Sequence, residues 1–137
     1  MPPLNEVTIS WIEDDFDVIH SVMKPVLKEG VTLMPYYTYQ DAITNVEEIR
    51  KSDLIILDAI IPPGSSGLTG GNLGIHLLRR FRTEFHIDLP VIVFSILANA
   101  QDVISTAELK ELKAHSLPKG VTPDDLKSEI LEVLGPR

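Results

Sequence analysis

At 137 residues the chain has the length of one domain, and with 44% hydrophobic and 23% charged residues it can bury a real core. Its net charge of −8 argues against direct nucleic-acid binding, which needs clustered basic charge to displace counterions. The lack of cysteine excludes disulfides and thiolate metal sites, no apolar run approaches the ~20 residues of a membrane span, and Met1 to Glu6 carries no signal-peptide pattern, so the expected location is the cytoplasm.

Val7 to Ile12 reads as a first strand, closing on two acids, Glu13 and Asp14. Phe16 to Lys28 has helical character, with Pro25 expected to kink or shorten its last turn. Val31 to Met34 reads as an edge strand, because Pro35 suits only an edge or an end. A helix is expected over Asp41 to Arg50. Leu54 to Leu57 is a continuous apolar run, as in strands buried on both faces of a parallel sheet, and it ends on Asp58. Gly64 to Gly71 reads as a long flexible loop. Gly74, Leu77, Leu78 and Phe81 then recur at i, i+3, i+4 and i+7, a buried helix stripe, with Arg79, Arg80 and Arg82 as the solvated face. Val91 to Phe94 is a second continuous run and closes on Ser95. Asp102 to Lys113 reads as a helix, and His115 to Leu117 as a short strand just before Lys119. Thr122-Pro123-Asp124-Asp125 combines a capping threonine, a first-turn proline and two acids at the positive helix end. Leu126, Ile130, Val133 and Leu134 form that helix's buried stripe, and Gly135-Pro136 stops it.

Five βα repeats of this kind predict an α/β fold, a doubly wound five-stranded parallel sheet with helices on both faces. In the flavodoxin-like strand order 2-1-3-4-5, strands one and three are neighbours, and ligands bind outside the carboxyl ends of the strands. Glu13, Asp14 and Asp58 would then share one edge with Ser95 and Lys119. A charge at the mouth of a buried strand must be paired, metal-bound or reactive. Three close carboxylates repel one another, and a hard divalent cation such as Mg²⁺ or Mn²⁺ relieves that repulsion. Lys119 suits a phosphate, and the Ser95 hydroxyl can donate to a newly arrived oxygen. The set suits phosphoryl transfer onto Asp58.

With these residues in order, the chain resembles the receiver domain of bacterial two-component response regulators. The matching segments are Trp11-Ile12-Glu13-Asp14-Asp15, Leu57-Asp58-Ala59-Ile60-Ile61-Pro62, Val91-Ile92-Val93-Phe94-Ser95 and Leu117-Pro118-Lys119, spread over nearly the whole chain. The resemblance implies one receiver domain over residues 1–137 with no output domain. It makes Asp58 the phosphoacceptor, and Glu13, Asp14, Asp58 and the Ile60 carbonyl the metal ligands. Ser95 becomes the hydroxyl switch and Lys119 the phosphate-pairing lysine. It implies a phosphoacceptor with intrinsic autophosphatase activity as an option, rather than an enzyme. The implied donor is a sensor histidine kinase or a histidine phosphotransfer protein. The implied output is a downstream protein on the fourth helix, fifth strand and fifth helix, with homodimerisation as an option. Neither nucleic acid nor membrane insertion is implied.

The chain also departs from the family pattern. Glu13 stands where aspartate is usual, and Ser116 where a switching aromatic is common. Gly120 replaces the proline after Lys119, so a trans bond is expected there, since a non-proline cis peptide costs ~2.5–4 kcal/mol. Ile96 follows Ser95 where a small residue is usual. A partly shielded site is therefore expected, with Ile96→Ala hastening dephosphorylation. The loop from Gly64 is about seven residues longer than in a minimal receiver. These departures keep a second reading open, a pseudo-receiver that binds protein without phosphorylation. An aspartate-nucleophile phosphatase would place an acid/base aspartate where Ile60 stands. A flavin carrier is disfavoured by the acidic site. Asp15 reads as a solvated acid or a helix cap, and His20, His76, His86 and His115 lack metal spacing.

Overall fold

The computed structural model describes residues 3–69, 72–95, 104–118 and 120–135, apart from the side chains of Phe16, Val18, Ile19 and Ser95. Among the described residues are five parallel strands: β1 (Thr8–Ile12), β2 (Thr32–Tyr36), β3 (Leu54–Leu57), β4 (Val91–Ser95) and β5 (Ala114–Pro118). Their order is β2-β1-β3-β4-β5, the predicted 2-1-3-4-5.

Alternation along the strands divides the core in two. Ile9, Trp11, Leu54, Ile56, Ile92 and Phe94 point to one face, and Ile12, Ile55, Leu57, Val91 and Val93 to the other. Helices cover both faces, so all four residues of β3 are fully buried. A central parallel strand therefore needs an unbroken apolar sequence, and Leu54 to Leu57 supplies it. Trp11 and Phe94 meet edge to face with ring centroids 5.7 Å apart.

The edge strand β2 runs through Pro35 rather than stopping before it. Thr32 donates to Val7, and the Tyr36 carbonyl accepts from Glu13, so even-numbered residues of β2 face β1. Pro35 is odd-numbered, and its missing N–H falls on the open edge, where it costs no ladder bond.

The helices are shorter than the periodicity suggests. The first expected helix breaks at Met23 into α1 (Phe16–Val22) and α2 (Lys24–Leu27), with Pro25 in the first turn of the second piece. There its lack of an N–H is harmless. The next starts two residues early, because Thr38 caps it by accepting from Asp41 N–H at 3.0 Å. It breaks at Asn45 into α3 (Tyr39–Thr44) and α4 (Val46–Arg50). Then α5 (Leu73–Thr83) buries Leu73, Gly74, Ile75, Leu77, Leu78 and Phe81. In α6 (Thr106–Glu111), Ser105 caps by accepting from Glu108 N–H at 3.0 Å; Asp102 and Val103 lie outside the described residues. As expected, α7 (Pro123–Leu134) is capped by Thr122 and buries Leu126, Ile130 and Leu134. No described helix is long and apolar enough to cross a membrane.

One expectation needs correction. Arg82 is an anchor rather than a solvated cation. Its guanidinium donates to the carbonyls of Leu112 (2.7 Å), Ile87 (2.7 Å) and Lys113 (3.3 Å). Burial pulls it below its ordinary pKa, and Asp88 opposes that shift. The segment leading into the long loop is anchored. Pro62 and Pro63 carbonyls accept from Tyr39 N–H (2.9 Å) and Gln40 N–H (3.3 Å), and Gly64–Ser66 forms a 3₁₀ turn. Gly70 and Gly71 lie outside the described residues.

Candidate functional site

The sheet delivers three acids to one edge. Glu13 and Asp14 leave β1, and Asp58 leaves the adjacent β3. Two backbone bonds fix that edge: Asp58 N–H donates to Ile12 (3.0 Å), and Glu13 N–H donates to Tyr36 (2.9 Å). As a result, one carboxylate oxygen from each of Glu13, Asp14 and Asp58 lies within 4.8 Å of the other two. Glu13 is 2% exposed and Asp58 5% exposed, while Asp14 is exposed.

Both buried carboxylates are oriented by the chain that follows them. Asp58 Oδ1 accepts from Ile60 N–H at 3.0 Å, and Glu13 Oε1 accepts from Asp15 N–H at 3.2 Å. Aspartate makes this turn readily, bonding the amide two residues on, and Glu13 makes the same contact through a longer arm. The turn holds each carboxyl group in place and commits the next residues to leave the strand. Ile60 is on the outgoing turn and is 44% exposed.

The donor set is all oxygen, compact and mostly buried. That is the chemistry of a hard divalent cation; Mg²⁺ takes one or two carboxylates and keeps its other positions for water or phosphate. The three side chains thus fit such an ion. Among the described residues no histidine joins the cluster. His76 Nδ1 instead lies 2.9 Å from the Tyr39 hydroxyl.

The remaining sequence candidates are only partly placed. The backbone of Ser95 ends β4 opposite Pro118, on the same sheet edge as Asp58; its side chain lies outside the described residues. Lys119 and Ile96 also lie outside them. Ser116 and Gly120 are exposed.

One residue at the site escaped the sequence reading. Gly74 counts there only as a member of a helix stripe. In the fold, α5 begins directly behind the Asp58 peptide, and Gly74 N–H donates to the Ala59 carbonyl at 3.0 Å. A Cβ at Gly74 would lie 1.8 Å from the Asp58 carbonyl oxygen. The available signal was a glycine buried near a helix start with no turn to explain it.

Neither a family model nor a curated protein matches the sequence. Solved structures match the fold. A two-component response regulator from Clostridium difficile superposes with a TM-score of 0.72 at 19% identity, over 94% of this chain and 96% of that one. The receiver domain of a putative LuxO repressor protein from Vibrio parahaemolyticus gives 0.73 at 23% identity, over 98% and 91%. The non-phosphorylated HemR receiver domain from Leptospira biflexa gives 0.73 at 22% identity, over 96% and 97%. The fold is therefore the receiver-domain fold.

Proposed function

We propose that this chain is a phosphoryl-accepting receiver of a two-component system that works in the cytoplasm. The observation that carries the reading is the convergence of Glu13, Asp14 and Asp58 oxygens within 4.8 Å at the sheet edge of a receiver fold. Asp58 is the nucleophile. One of its carboxylate oxygens forms a bond to phosphorus as the phosphorus–nitrogen bond of a phosphohistidine donor breaks, and the imidazole leaves with its electron pair. The Ile60 N–H that holds Oδ1 fixes the rotation of the attacking group. Glu13, Asp14, Asp58 and the Ile60 carbonyl would hold Mg²⁺ or Mn²⁺. When bound, that ion neutralises the acids and the charge on the transferred group. In this reading Ser95 donates to an oxygen of the phosphorylated Asp58, and Lys119 pairs with another.

The donor is a sensor histidine kinase or a histidine phosphotransfer protein. The new charge of about −1.5 to −2 shifts the surface formed by α6, β5 and α7, where a downstream protein or a second copy docks. Return to the resting state is hydrolysis of the acyl phosphate at the same site. A phosphatase is less well supported, because Ile60 stands where an acid/base would be needed.

A second reading is a pseudo-receiver, favoured by one observation: Ser116, in place of a switching ring, is a small exposed residue on β5. Incubation of wild type and Asp58→Asn with Mg²⁺ and a phosphodonor tests both. Labelling of wild type alone supports the receiver. Equal labelling of both proteins would sink the Asp58 assignment, and no uptake even from a histidine donor would favour the pseudo-receiver.

A further inference from the structure

The geometry points to Gly74 as a positioning residue for Asp58: the first turn of α5 acts as a backstop that sets where the phosphoacceptor peptide lies. This inference rests on the proposed role of Asp58 and extends it to a residue more than a dozen positions away.

Two observations meet at one point. The backbone N–H of Gly74 bonds the Ala59 carbonyl at 3.0 Å, tying the helix to the peptide that follows Asp58. A Cβ on Gly74 would lie 1.8 Å from the Asp58 carbonyl oxygen, 2.8 Å from its carbon and 2.9 Å from the Ala59 carbonyl carbon. All three are backbone atoms, so no rotamer change can make room. Ordinary contact begins at 3.4 Å, so an alanine must push the helix and the Asp58 peptide apart by about 1.6 Å.

The sheet cannot absorb that displacement freely. Asp58 N–H is bonded to Ile12, and Leu57 is paired with both Ile12 and Val93. The turn after Asp58 is the softer side. It holds the Ile60 N–H on the Asp58 carboxylate and carries the Ile60 carbonyl assigned above to the metal. A shift there moves the carboxylate and a proposed ligand together. A misplacement near 1 Å in a reacting group can cost about 10²-fold in rate. The need for glycine here is closeness of two backbones, since the residue lies inside a regular helix.

The test compares wild type, Gly74→Ala and Leu73→Ala. Leu73→Ala loosens the same buried helix start without placing an atom against Asp58. Metal affinity is read by calorimetry and the phosphorylation rate with a small phosphodonor, both on protein shown to be folded by circular dichroism. The expected result is a loss of about 10²-fold in rate for Gly74→Ala, with weaker Mg²⁺ binding, and near wild-type values for folded Leu73→Ala. A folded Gly74→Ala with wild-type rate and affinity overturns the proposal, as does an equal loss in Leu73→Ala. Amide hydrogen exchange on wild type gives an arm that needs no variant. Slower exchange at Gly74 and Ile60 on adding Mg²⁺ supports a mechanical link, and unchanged exchange at Gly74 while Ile60 slows overturns it. Should wild type accept no phosphoryl group, the proposed function fails while these exchange and affinity readings still judge the backstop.

Discussion

The amide of Asp58 donates to the carbonyl of Ile12 at 3.0 Å, across the boundary between β3 and β1. That single bond sets Asp58 beside the residue that follows Ile12, which is Glu13. Two buried acids are thereby placed side by side by sheet register, before any ligand is considered. Like charges this close repel, and a hard cation held between them offsets that repulsion.

Mg²⁺ is therefore expected to stabilise the fold. At a concentration 100 times its Kd the gain is ~2.7 kcal/mol, or roughly 10 °C in Tm for a chain of this size. Asp58→Asn is expected to lose most of that gain. In the absence of divalent ions the same variant should melt above wild type, because one of three repelling carboxylates is gone. Thermal melts with Mg²⁺ and with a chelator check both statements. A wild-type Tm that ignores Mg²⁺ would contradict the metal assignment.

Tyr39 joins three parts of the fold. Its N–H holds the Pro62 carbonyl, and its hydroxyl lies 2.9 Å from both His76 Nδ1 and an Arg80 guanidinium nitrogen. Arg80 also pairs with Glu84 and lies over the Phe85 ring, 5.1 Å from its centroid. Tyr39→Phe removes only the hydroxyl and is expected to cost about 1 kcal/mol. Tyr39→Ala also empties a fully buried site and is expected to cost about 3–5 kcal/mol. Urea unfolding of the two variants separates the hydroxyl from the ring.

The strand order and the acid cluster were legible because both rest on unambiguous sequence signals. A continuous apolar run such as Leu54 to Leu57 has few other uses, and acids that end such runs must meet solvent or a ligand. Helix ends were less legible. The chain breaks at Met23, just before Pro25, and at Asn45, whose side-chain amide donates to the Asp41 carbonyl, and a single turn of helix on either side keeps the same apolar period. Arg82 was misread for a related reason: a cation off the apolar stripe looks solvated until the α6–β5 turn brings bare carbonyls over it. Gly74 left only a faint signal as a site residue, because its role is a contact with backbone far away in sequence.

Gly64 is expected to resist substitution although it opens a long surface loop. Its φ is +65°, and a Cβ there would meet the Thr38 hydroxyl oxygen at 2.6 Å. Left-handed backbone alone costs a non-glycine residue about 1–2 kcal/mol. Gly64→Ala should therefore lower stability by roughly that amount or more. Gly67, also at positive φ but with nothing within 4 Å of its Cβ position, should show the backbone cost alone. Denaturant midpoints of the two alanine variants test the difference. Equal losses would mean that the loop base yields and that Thr38 does not hold it.

The ion pair between Arg79 on α5 and Glu108 on α6 supplies a pH-dependent term. The Arg79 guanidinium donates to both Glu108 oxygens, at 2.9 and 2.8 Å. That bonding holds the Glu108 carboxyl below its ordinary value of 4.5, with burial opposing it. A depressed carboxylate stabilises the fold above its unfolded pKa and loses that contribution as pH falls through its folded pKa. The pair should thus act in full at pH 7 and fade below about pH 4.5. Both side chains are partly exposed, so solvent and salt limit it to ~0.2–1 kcal/mol. Glu108→Gln should be less stable than wild type at pH 7 by that margin, and the gap should narrow as pH falls below about 4.5. Urea unfolding at pH 7 and pH 3, repeated in 1 M salt, provides the check. Glu108 N–H also meets the Ser105 cap, and that backbone bond survives the substitution. A difference that persists unchanged at pH 3 would therefore assign the effect to helix propensity rather than to the pair.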